Sequence, residues 1–164
     1  MKSVYLCGFM GCGKSHTGRL LARKTGMKLI DLDEYIVKKA GMTIPQIFEK
    51  HGEPYFRDLE ADCVKELGEG YIVATGGGAF QRRETADFAN EKGVSFFIDT
   101  DFETCYKRIK GDKNRPLVMK NTKEQLEELF NKRRAVYAAN SMHTVDGSGK
   151  DSAIAEEIMK YINP

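Results

Sequence analysis

The chain has 164 residues, 41% apolar and 30% charged, with 26 Lys and Arg against 24 Asp and Glu and a formal net charge of +2. That length suits one domain with a single core, and the near balance of charge argues against a nucleic-acid coat, which carries a large basic excess. No apolar run approaches the roughly 20 residues of a membrane-spanning helix, an early strand leaves no room for a signal peptide, and four cysteines without a Cys-x-x-Cys pair suit reduced thiols in a cytoplasmic protein.

Val4 to Cys7 reads as a short buried strand, and Ser15 to Thr25 as a helix with Leu20, Leu21 and Lys24 at helical intervals. Between them Gly8-Phe9-Met10-Gly11-Cys12-Gly13-Lys14-Ser15 fits the phosphate-binding loop: Gly, four residues, Gly-Lys-Ser. A glycine-rich turn between strand and helix lets successive N–H groups converge on phosphate oxygens, and the helix N-terminus adds partial positive charge. Lys14 can then reach the terminal phosphates, while the Ser15 hydroxyl can ligate Mg²⁺. The loop identifies the phosphate donor and leaves the acceptor open.

Met27 to Asp33 looks like a second strand ending in two acids. A strand's period of two would turn Asp31 and Asp33 to one side, at the carboxyl edge where open α/β sheets bind ligands. Alternatively, Asp33 caps the helix expected over Glu34 to Lys39. Thr43 with Gln46 and Thr122 with Gln125 are capping-box signals, starting helices to about Lys50 and Ala139. His51 reads as a polar residue at a helix end. From Pro54 to about Leu67 runs a helix whose apolar stripe is Phe56, Leu59, Cys63, Val64 and Leu67. Glu60 lies on or beside that stripe, where a carboxylate needs a partner, and Arg57 is within reach three residues earlier.

The third strand, Tyr71 to Ala74, carries no acid of the kind many P-loop enzymes use for magnesium, so Asp31 becomes the candidate. It runs into Thr75-Gly76-Gly77-Gly78, which suits close approach of a ligand to the main chain or a flexible turn. A helix over Arg83 to Lys92, a strand over Val94 to Ile98 and a helix over Thr104 to Ile109 follow. Lys110 to Asn121 has little periodicity and holds Lys110, Lys113, Arg115 and Lys120, as a lid closing over phosphates would. Arg133 and Arg134 sit late in the next helix, where they could complement its dipole. A strand ending at Val145-Asp146-Gly147 and a helix over Ala153 to Ile162 complete the chain.

Taken together, the loop at Gly8–Ser15, Asp31-Leu32-Asp33, Phe56-Arg57-Asp58-Leu59-Glu60, Gly76-Gly77-Gly78, Arg115-Pro116-Leu117, and Arg133 four residues before Tyr137 resemble the shikimate kinase family, in that family's order. The resemblance implies a three-layer α/β P-loop fold like that of nucleoside monophosphate kinases, with a central five-stranded parallel sheet, helices on both faces and a mobile lid. One domain over 1–164 is expected, with a substrate-binding segment at about 33–61 and the lid at about 110–122. It implies phosphoryl transfer from MgATP to the 3-hydroxyl of shikimate, toward chorismate and the aromatic amino acids, by a cytoplasmic monomer with no nucleic-acid or membrane partner.

The resemblance also implies roles. Gly11, Cys12, Gly13, Lys14, Ser15 and His16 would hold the nucleotide with Arg108 beside adenine, and Ser15 and Asp31 would organise Mg²⁺. Asp33 would bond the shikimate hydroxyls and serve as base, Arg57 and Arg133 would clamp the carboxylate beside Gly76, Gly77 and Gly78, and Arg115 would reach the transferring phosphate. The chain departs from the family pattern at Leu32 and at Cys12, where small polar residues are usual. Cys12, near a helix N-terminus and Lys14, is either an inert small side chain or a reactive thiol shielded by nucleotide. Rival readings are a kinase of gluconate or a nucleoside monophosphate, and a nucleotide-responsive binding module; the arginine set and the intact Lys14, Ser15, Asp31, Asp33 and Arg115 weigh against them.

Overall fold

The computed structural model describes residues 2–162. Five stretches form strands: β1 (Ser3–Cys7), β2 (Lys28–Asp31), β3 (Tyr71–Ala74), β4 (Gly93–Asp99) and β5 (His143–Asp146). They pair in parallel in the order β2-β3-β1-β4-β5. β1 is central and buried along its whole length, as an inner strand covered on both faces must be. The expected five-stranded parallel sheet is thus present.

Neighbouring residues of a strand point to opposite faces, so Phe96 and Phe97 report the two helical layers. Phe96 meets Tyr161 at 5.7 Å between ring centroids, on α9 (Asp151–Ile162), whereas Phe97 meets Tyr137 at 5.2 Å, on α8 (Lys123–Asn140). Leu6 is in register with Phe96, and Gly18 of α1 (Lys14–Thr25) lies against Leu6 and Leu29. α1 and α9 therefore share one layer, and α8 lies in the other.

The remaining helices are α2 (Leu32–Ala40), α3 (Ile44–His51), α4 (Glu53–Leu67), α5 (Arg83–Lys92), α6 (Phe102–Ile109) and α7 (Pro116–Lys120). Both capping boxes form. Thr43 N–H donates to Gln46 Oε1 at 2.9 Å and Thr122 N–H to Gln125 Oε1 at 2.8 Å, with each threonine hydroxyl accepting the reciprocal bond. These start α3 and α8 where local rules place them. His51 ends α3 and stacks on Tyr55, ring centroids 4.2 Å apart.

Three boundaries differ from expectation. β2 stops at Asp31, whose Oδ1 accepts the Glu34 N–H at 3.2 Å and caps α2. Asp33 is therefore neither a strand residue nor the cap; it sits in the first turn of α2. The stretch 110–121 is not wholly irregular, because Pro116 at an N-terminal helical position suits the five-residue α7. α6 starts at Phe102 rather than Thr104, because Asp101 accepts both the N–H and the hydroxyl of Thr104.

No helix among the described residues is long and apolar enough to cross a membrane. The four cysteines are free and buried. α8 is docked by buried polar bonds as well as by rings: Asn140 Nδ2 donates to Phe80 O at 2.8 Å, and Asn140 O accepts from Asn90 Nδ2 at 2.9 Å. Asn140→Ala should lower the unfolding free energy by about 1–3 kcal/mol, because it strands the buried Phe80 carbonyl; a shift in urea midpoint with unchanged slope measures it.

Candidate active site

The phosphate loop, the acidic pair and the glycine loop leave the carboxyl ends of β1, β2 and β3. β1 and its neighbour β3 lie where crossover connections diverge to opposite sides of the sheet, the crevice used for ligands in open α/β folds. After β1 the chain turns through Gly8 at φ +148°, where an added Cβ would come within 2.8 Å of Ile98 O. Only glycine fits there. α1 opens on Gly13 with no side-chain cap, which leaves its first N–H groups for an anion.

Below the loop is a cleft of about 470 Å³ lined by Gly11, Cys12, Gly13, Lys14, Ser15 and His16. Asp31, Asp33, Arg108 and Arg115 line it as well. The Lys14 ammonium donates to Gly8 O at 2.6 Å and Phe9 O at 3.2 Å. Arg108 Nη1 donates to Gly11 O at 2.8 Å, tying α6 to the loop. Cys12 is only 2% exposed, its sulfur packed toward Gly8 and 3.7 Å from Lys14 Nζ. The loop itself covers that sulfur, so the accessible, reactive thiol entertained from the sequence is not present.

Ser15 Oγ donates to Asp31 Oδ2 at 3.4 Å. Adjacent oxygens around octahedral Mg²⁺ stand about 3 Å apart, and the ion is usually held by one or two protein groups together with phosphates and water. This pair fits that demand. No cluster of three or more His, Cys, Asp or Glu side chains suited to a metal occurs among the described residues.

The cleft continues into a recess lined by Asp33, Arg57, Glu60, Gly76, Gly77, Gly78, Arg115 and Arg133, with Phe48, Phe56 and Met10 as apolar wall. Half-buried Asp33 has its pKa raised, first by burial and next by Asp31, while Lys14, Arg115 and Arg57 oppose the rise. A carboxyl held above its usual range is suited to proton transfer. Arg57, half-buried on α4, lies 5.1 Å from the Phe56 ring centre. Its guanidinium bonds Glu60 Oε1 at 3.0 Å and Glu53 Oε1 at 3.4 Å.

Glu60 is 2% exposed and its Oε2 has no hydrogen-bond partner among the described residues. Burial pushes its pKa up to about 7, against the pull of Arg57. Arg133 is buried, not spread along the end of α8 to complement its dipole. The adjacent Arg134 points the other way and forks onto Asp99 at 2.9 and 2.7 Å.

The residues nominated for nucleotide, metal and substrate thus all line the cleft or its recess, whereas Lys110, Lys113 and Lys120 line neither, and further residues support the site. Tyr137, one turn beyond Arg133, donates its hydroxyl to Gly77 O. Asp112 holds Arg115, accepting from its Nε at 3.0 Å, while the Asp112 Oδ1 accepts the Asn114 N–H at 2.9 Å. Asp151, at the start of α9, lines the nucleotide side. The i, i+3 spacing of Asp112 and Arg115 was a usable signal; Tyr137 stood out only by its spacing from Arg133 in the family resemblance, which gave it no role, and nothing local marked Asp151.

Residues 10–163 match the family model for shikimate kinase. The chain is 40% identical over 164 residues to the shikimate kinase of Persephonella marina, covering 99% of each chain. It is 39% identical over 158 residues to that of Aquifex aeolicus, covering 95% of this chain and 93% of that one. Among solved structures, shikimate kinase from Acinetobacter baumannii in complex with shikimate superposes with a TM-score of 0.92 at 35% identity, over 99% of this chain and 93% of that one. Family model, relatives and solved structure each span nearly the whole chain, and the chain belongs to the shikimate kinase family.

Proposed function

We propose that this chain transfers the γ-phosphoryl group of ATP to the 3-hydroxyl of shikimate, giving shikimate 3-phosphate and ADP on the route to chorismate and the aromatic amino acids. The observation that carries this is the recess. Two arginines, Arg57 and Arg133, and the proton-accepting Asp33 line one small concavity that opens beside the phosphate loop. Shikimate offers one carboxylate and three hydroxyls, and guanidinium groups hold a carboxylate in fixed, bidentate geometry better than ammonium groups do. The A. baumannii relative binds shikimate, in keeping with this reading.

In the proposed mechanism Arg57 and Arg133 clamp the carboxylate, with the backbone of Gly76, Gly77 and Gly78 alongside. Asp33 accepts hydrogen bonds from the ring hydroxyls and takes the proton of the attacking one. The start of α1 and Lys14 hold the phosphates, and Gly11, Cys12, Gly13 and His16 complete the nucleotide cleft with Arg108 at the base. Ser15 and Asp31 would hold Mg²⁺, which supplies charge neutralisation on the phosphate oxygens. Arg115, aimed by Asp112, meets the charge that develops on the transferred group. The protein's contribution is positioning and electrostatics, as for phosphoryl transfer generally. The substrate segment at about 33–61 and the lid at about 110–122 belong to a single domain, acting as a cytoplasmic monomer.

Incubation with MgATP and, separately, shikimate, gluconate and nucleoside monophosphates should release ADP only with shikimate; turnover with another acceptor, or with none, overturns the assignment. Arg57→Ala should raise the KM for shikimate about 10- to 100-fold, the loss of a charged hydrogen bond, while leaving that for ATP within about twofold. A larger effect on ATP would mean the acid pocket is misplaced. Lys14→Ala should lower kcat about 100-fold or more with little change in melting temperature, a separation read by pairing steady-state kinetics with thermal unfolding.

A further inference from the structure

Glu60 is the ionisable recess group whose chemistry the mechanism above leaves unused. Its Oε1 is taken by Arg57, but Oε2 is bare and buried. A Cβ built on Gly76 would stand 2.9 Å from Glu60 Oε2 and 2.8 Å from Asp33 Oδ1, so two carboxylates converge on that backbone from α4 and α2. The charged groups facing Glu60 are Arg57 and Glu53 on its own helix, Asp33 from α2, Arg133 from α8 and Arg115 from the lid stretch. Arg115 is shared with Asp112, which leaves Arg57 and Arg133 facing Glu60, Asp33 and the exposed Glu53, one positive charge too few.

A carboxylate substrate widens this deficit. It adds another anion to a confined space and draws on Arg57, the only hydrogen-bond partner of Glu60 among the described residues. Uncompensated negative charge in a low-dielectric site is costly, and the least expensive remedy is to neutralise one acid. Asp33 is the poorer candidate, because Lys14 and Arg115 support its charge from the nucleotide side. Glu60 is the better one: it is nearly sealed from water, and its free oxygen can carry a hydrogen with which to donate a bond into the recess. Resting on the functional reading above, we infer that Glu60 takes up a proton when the substrate carboxylate binds, and so acts as a positioning residue whose protonation and substrate binding are linked.

The resting pKa of about 7 places the linkage in an accessible range. Binding raises a pKa that is already raised, so the protonated form binds better. Affinity is then fully present below the pKa of the free protein and is lost as pH rises through it. The coupling is reciprocal.

Titration calorimetry of the full chain with shikimate, at pH 7 in buffers of different ionisation enthalpy, reads the proton directly. For a coupling of one pH unit, uptake should be about 0.4 proton per shikimate, and the Kd at pH 8 should be about fivefold weaker than at pH 6. Glu60→Gln mimics the protonated acid and should bind shikimate with buffer-independent heat and a level Kd over that range. Wild-type binding without proton uptake overturns the inference, as does uptake that persists in Glu60→Gln, which would assign the proton to Asp33. No binding of shikimate at any pH would overturn the functional reading and this inference with it.

Discussion

The acceptor side of the site depends on how closely the backbone of Gly76–Gly78 lies against charged side chains. A Cβ on Gly78 would fall 2.2 Å from Arg57 Nη1, and one on Gly77 would come 3.4 Å from Arg133 Nη1. The loop thus acts as a wall with no side chains, against which an acid pair and two arginines are gathered. Three connections to α8 hold the wall in place: Tyr137 to Gly77 O, Gln81 to Arg133 O, and Asn140 to Phe80 O. The helix that carries Arg133 therefore also fixes the surface that this arginine faces.

Donor and acceptor sides are joined through the sheet. Thr75 donates both its N–H and its hydroxyl to Leu6 O, at 3.0 and 2.9 Å. β3 ends at the glycine loop and β1 ends at the phosphate loop, so this double bond sets the spacing of the two loops. Register does the same work for β2, where Asp31 pairs with Ala74. Phosphoryl transfer tolerates little misplacement of its reactants, and here their separation is fixed by strand pairing rather than by loop conformation.

Features governed by local rules were legible in the sequence. The phosphate loop and both capping boxes could be read because spacing alone specifies them, whereas the five-stranded parallel sheet followed from the family resemblance. The end of β2 could not: Leu32 continues the strand's apolar pattern, and only the bond from Glu34 N–H to Asp31 shows that the helix has begun. α7 has five residues, too few for a helical period to show. Arg133 and Arg134 are adjacent and chemically identical, yet one is buried in the recess and the other bonds Asp99; the face of α8 that meets the sheet decides this. Glu60 was legible as an acid in need of a partner. That one of its two oxygens would remain without one depends on the Gly76 backbone and required the folded structure.

The ammonium group of Lys14 already rests on the carbonyls of Gly8 and Phe9. Two of its three N–H donors are thus spent on the loop that cradles the phosphates, and the third faces only the Cys12 sulfur at 3.7 Å. The loop therefore fixes the ammonium in place with a donor still free for a phosphate oxygen. A charge held in position by its own loop needs no reorganisation when negative charge develops during transfer.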